Sequence, residues 1–174
     1  MSSGRVLPLF RAFILLAIFG FPGALLAQDE PPRALRDDRI RIGLSLGGTG
    51  LIGLIGEYQH GDWSGELTVG TISFRDVAVA IAGKHYFGDG KLRPAVGLGF
   101  WSLSAWTDDG SGSVFLLRAP VALDWSMSDH HAAGFEVGLN RALTVDRLDP
   151  LDDTPARSSI VPLPGAYYRY GWSP

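Results

Sequence analysis

Four histidines, His60, His85, His130 and His131, are the side chains of this sequence best suited to move protons near neutral pH. Histidine activates a serine only within hydrogen-bond reach, and Ser111, Ser113, Ser158 and Ser159 have none of the four beside them in the chain. His130 and His131 are adjacent, and neighbours on a strand point to opposite faces, so they chelate a metal poorly. The stretch 146–153 (DRLDPLDD) holds four aspartates but lacks the glycine and final glutamate of a calcium loop. It reads as a charged outer loop. Gly47-Gly48-Thr49-Gly50 lacks the lysine and following helix of a phosphate cradle and reads as a hairpin turn. Cysteine is absent, which removes thiol chemistry and a lipoprotein anchor. No catalytic, cofactor or metal residue is therefore assigned.

A second set of chemically capable residues is defined by parity. Arg41, Glu57, Glu66, Lys84, Arg118, Asp124, Glu136 and Arg169 each lie on a stretch that alternates with period two. Each sits opposite bulky apolar neighbours and shares its own face with glycine, alanine or serine. In Arg39 to Gly47 (RIRIGLSLG), for example, Ile40, Ile42, Leu44 and Leu46 oppose Arg41, Gly43 and Ser45. Four of the eight charges are positive and four negative. Small residues and balanced charges suit a narrow lumen, where an ion must find a counter-ion. Bulky residues suit a surface that faces lipid. The expectation is a structural polar network filling the lumen.

The elements that would position these charges are eight strands, at about 39–47, 51–60, 63–72, 77–87, 92–105, 114–125, 132–143 and 160–172. A bulge is expected near Phe100–Trp101, where Trp101 and Leu103 fall on the wrong parity. Pro162 and Pro164 predict irregularity in the last strand. With the strands running up and down, the second, fourth and sixth connections (60–62, 88–91, 126–130) are short. The odd ones (48–50, 73–76, 108–112, 144–159) include the longest. Short periplasmic turns with longer outer loops are the asymmetry of transmembrane barrels. Trp63, Phe87, Trp125, Tyr168, Tyr170 and Trp172 fall at the short-turn end, as interface aromatics do.

Residues 1–27 read as a signal peptide, with Arg5 and Arg11 before an apolar stretch (FILLAIF) and Ala27 at the cleavage point. The run is too short and broken to span a membrane as a helix. Residues 28–38 form a polar linker and 39–174 the barrel. Loss of Arg5 and Arg11 leaves 13 basic residues against 18 acidic, a formal charge of −5 with no basic block, which disfavours nucleic acid as a partner.

The last strand, GAYYRYGW (165–172), resembles the C-terminal signal of bacterial outer-membrane proteins, and AGKHYFGDGKLRPAVGLG (82–99) resembles a hairpin common in outer-membrane β-barrel domains. Ser173 and Pro174 after the aromatic depart from that signal. The whole mature chain resembles the small barrels typified by the transmembrane domain of outer membrane protein A. The resemblance implies an all-β, eight-stranded antiparallel up-and-down transmembrane barrel, exported and inserted by the barrel-assembly machinery. Its partners would be outer-membrane lipids and lipopolysaccharide, and it would act as a monomer with a structural or surface-interaction role. Two alternatives stand beside this. One is a lipid A-modifying enzyme, although His131-Ala132-Ala133 lacks the serine of the deacylase motif. The other is a soluble periplasmic lipid-binding barrel.

Overall fold

The computed structural model describes residues 38–107, 110–146 and 159–174. The expected signal peptide and most of the linker lie outside them, as does most of the loop 144–159. The described chain is eight strands: β1 (Asp38–Gly47), β2 (Gly50–His60), β3 (Trp63–Thr71), β4 (Asp76–Tyr86), β5 (Leu92–Thr107), β6 (Gly110–Ser126), β7 (His131–Asp146) and β8 (Val161–Trp172). Each pairs antiparallel with the next, and β1 pairs with β8 to close the barrel. Closure removes the free edges that an open sheet would expose. Among the described residues no helix is long and apolar enough to cross a membrane, which says nothing of strands.

Register fixes the stagger. Register partners followed from Arg141 on β7 run through Leu117, Phe100, Ile81, Leu67, Gly56, Ile42 and Tyr170 to His131, ten residues back on the same strand. Stagger and strand tilt are linked, so the strands run obliquely around the axis. The start of β1 and the end of β8 share one rim, here the near rim, with the connections 61–62, 87–91 and 127–130. Gly61 takes φ +57 as the first of two turn residues, the glycine position of a type II′ hairpin. At the far rim Gly47 and Gly48 both take positive φ, as a tight hairpin of twisted strands needs.

Three expectations are corrected. There is no bulge at Phe100–Trp101: the β4–β5 register is unbroken from Asp76↔Ala105 to Tyr86↔Ala95. Instead the polarity of the faces inverts. Beyond Phe100, inward Trp101 and Leu103 join Leu116, Leu163, Ala78 and Ala80 in an apolar cluster inside the barrel. The outward positions there are Ser102 and Ser104, so the parity is continuous and only the chemistry changes sides. The irregularity falls between Phe115 and Leu116, where Phe115↔Thr144 is followed by Leu116↔Ala142 and Leu143 is the extra residue. The connection expected at 108–112 shrinks to 108–109, because β6 begins at Gly110. Likewise β7 extends to Asp146, shortening the loop that follows. β5, β6 and β7 thus have 16, 17 and 16 residues against 9 to 12 elsewhere, making a taller wall at the far rim.

The β8 prolines are accommodated without breaking the strand. Pro162 and Pro164 pair with Leu139 and Val137 of β7. The Pro164 carbonyl accepts from Gly48 N at 2.9 Å, so the missing N–H also faces the β1 side, where β1 has already turned.

Candidate functional site

The site begins with glycine. Of the 23 glycines in the chain, several stand across a strand boundary from a large inward side chain. Gly43 is the register partner of Arg169, Gly97 of Lys84 and Gly171 of Arg41. A Cβ at any of the three would lie 2.9 Å from the partner's Cγ. Gly138 would meet Arg118 Nη1 at 2.7 Å. Small and long side chains therefore alternate around the lumen, and the glycines are what let the charges in.

All eight parity-defined charges are buried inside the barrel, none more than 9% exposed. They form one chain of contacts. Arg118 bonds Glu136, and Glu136 accepts from Lys84 Nζ at 2.5 Å. Lys84 also bonds Glu66 at 2.7 Å, and Glu66 accepts from Arg169. Arg169 Nη1 is 3.1 Å from Glu57 and 3.5 Å from Asp124. Arg41 closes the circuit, with Nε 2.8 Å from Glu57 and Nη1 3.1 Å from Asp124. Every carboxylate of the eight touches at least two cations, so the network is formally neutral and its ions compensated.

Two tyrosines complete the network and were not singled out in the sequence. Tyr86 Oη donates to Glu57 Oε1 at 2.7 Å and accepts from Arg169 Nη1 at 3.1 Å. Tyr167 Oη donates to Asp124 Oδ1 at 2.9 Å, and its ring lies 3.9 Å beneath the Arg169 guanidinium. Their signal was available: Tyr86 is two residues from Lys84 and Tyr167 two from Arg169, hence on the same face. Some donors have no protein partner, among them Arg118 Nη1 and Arg41 Nη2. Arg118, Ser45, Thr49 and Thr68 border a cavity of about 20 Å³, room for about one water. Toward the far rim the apolar cluster around Trp101 follows.

The outer wall has the opposite character. Ile42, Leu54, Ile81, Leu98 and Phe135 are each more than half exposed. The six expected interface aromatics also point outward, from Trp63 at 65% exposure to Trp172 at 37%, and they cluster at the near rim. The histidines join them there. His85 lies 4.6 Å from the Trp63 ring and 4.7 Å from Phe87. His130 and His131 both pack against Tyr170, and His131 bonds Tyr168 Oη. His60 Nδ1 is 2.8 Å from Asp38 Oδ1. Of the described candidate serines, Ser111 and Ser113 lie at the other end, on the tall wall, and Ser159 precedes β8 at that same end. Among the described residues no group of three or more His, Asp or Glu is placed to hold a metal ion.

No family model and no curated protein matches the sequence. Among solved structures, the chain is similar to the N-terminal β-barrel domain of OprF from Pseudomonas aeruginosa, with a TM-score of 0.56 at 12% identity, over 78% of this chain and 96% of that one. At that identity the likeness establishes the fold: a closed eight-stranded antiparallel barrel of the kind seen in that domain.

Proposed function

We propose that this chain is an integral outer-membrane barrel with a structural or surface-interaction role, whose lumen is held by its charge network and performs no catalysis. The inside-out polarity carries the reading. Large apolar side chains cover the outer wall and the eight parity-defined charges face inward, the reverse of a protein dissolved in water. In this orientation the near rim is periplasmic and the far rim extracellular. The near-rim aromatics then lie at the level of lipid headgroups.

A soluble lipid carrier would need the lumen to be the apolar compartment, and here four carboxylates and four cations occupy it. A lipid A-modifying enzyme would need its histidine at the outer leaflet, and all four histidines sit at the opposite rim. The test is fractionation with heat-modifiability on a gel. The expected result is recovery in the outer-membrane fraction, with a mobility that changes on boiling and a mature N-terminus at Gln28. Release into the soluble periplasm would refute the reading and favour the carrier.

A further inference from the structure

The outer wall is apolar between its rims, but at the extracellular rim two arginines among the described residues face outward. Arg141 on β7 is exposed and lies two residues from each of Leu139 and Leu143, which are 39% and 50% exposed. Arg75 precedes β4 and continues its register. Its carbonyl accepts from Trp106 N at 3.0 Å, one step beyond the pair Asp76↔Ala105. Arg75 and Trp106 are therefore cross-strand neighbours on the outward face, and both are exposed. Among the described residues neither arginine has a carboxylate partner. Among the described residues, Asp76, next to Arg75 in the chain, faces inward and binds Ile72 N and Ser73 N, and Asp146 at the end of β7 accepts from Ser113 Oγ.

We infer that Arg75, with Trp106 beside it, and Arg141 are seats for the anionic phosphates of outer-leaflet lipid. The inference rests on the membrane reading above. At the boundary of hydrocarbon a guanidinium extends its stem along apolar surface and needs an anion at its head. Arginine's planar fork matches phosphate with two parallel hydrogen bonds. Tryptophan at the same level favours the headgroup layer. The position of Arg75 is set by a rigid turn. Asp76 accepts from the backbone of residues 72 and 73, and Thr71 Oγ1 accepts from Phe74 N at 2.9 Å. The two arginines stand three strands apart, so they would engage separate phosphates and fix the depth and tilt of the barrel.

The experiment uses the full mature chain folded into phosphatidylcholine vesicles, with and without lipid A, and reads the urea midpoint of unfolding. Lipid A is expected to raise the wild-type midpoint. The double variant Arg75→Gln/Arg141→Gln should lose at least half of that rise while keeping its midpoint in phosphatidylcholine alone. Inorganic phosphate added to plain vesicles should give no rise. An equal rise in variant and wild type, or no rise in either, would overturn the inference. An equal rise with inorganic phosphate would overturn its lipid source. If the wild-type chain never becomes heat-modifiable in either vesicle, the membrane reading fails, and this inference fails with it.

Discussion

Lys84→Met isolates the worth of the lumen network. Methionine keeps most of the lysine stem, so packing beside Gly97 is retained and the charge alone is removed. Lys84 Nζ is 2.7 Å from Glu66 and 2.5 Å from Glu136, and the residue is 1% exposed. Breaking a buried pair from one side destabilises by roughly 3–5 kcal/mol. Here each carboxylate keeps one cation, Arg169 for Glu66 and Arg118 for Glu136, which points to the lower end, about 3 kcal/mol. With a urea slope of about 2 kcal/mol/M, the midpoint should fall by about 1.5 M. The assay is equilibrium unfolding of the micelle-folded barrel, followed by tryptophan fluorescence. Lys84→Met/Glu136→Gln restores neutrality, so its loss should be smaller than the sum of the two single losses by about 1–3 kcal/mol. The reasoning is refuted if Lys84→Met shifts the midpoint no more than Asp89→Asn, a change at an exposed turn.

Three further outcomes follow from the geometry. A Cβ at Gly99 would come within 2.6 Å of Ala82 Cα, so Gly99→Ala should destabilise by about 1–3 kcal/mol, whereas Gly65→Ala, with nothing within 4 Å, should fold as wild type on a heat-modifiability gel. Phe74 is 77% exposed with φ +62, so Phe74→Gly should relieve about 1–2 kcal/mol of backbone strain, less about 0.5–1 lost to glycine's freedom, and raise the urea midpoint slightly. Lipid A from cells with and without the protein should have identical mass spectra, and an acyl chain lost or gained only in its presence would restore the enzyme reading.

Much of the architecture is legible in the sequence because one physical demand, apolar outward and small or charged inward, repeats on every strand. That demand places the eight charges, from Arg41 to Arg169, on a single face. It is silent where the demand changes. At Trp101 and Leu103 the apolar face turns inward, and periodicity alone reads the switch as a bulge. The pairing partners are equally hidden, since parity places Lys84 in the lumen but only the ten-residue stagger brings it to both Glu66 and Glu136. Tyr86 and Tyr167 are not legible as network members because an inward aromatic looks like any strand aromatic until its hydroxyl has a carboxylate to meet. Pro162 and Pro164 read as obstacles because the sequence does not show the register that sets their missing N–H groups beyond the end of β1.

The seam between β1 and β8 has a kinetic consequence. It joins residue 40 to residue 172, so the most distant parts of the described chain must meet for the ladder to close. Such long-range pairing forms slowly. Arg169 lies on that seam, yet two of its three carboxylate partners, Glu57 and Glu66, belong to β2 and β3. In a sheet not yet closed on β1 its guanidinium lacks Glu57 and Glu66, and an arginine so under-paired opposes entry of that strand into hydrocarbon. On the proposed membrane reading, closure and entry into the bilayer are thereby coupled: a half-formed barrel would remain at the water interface until its last strand docks.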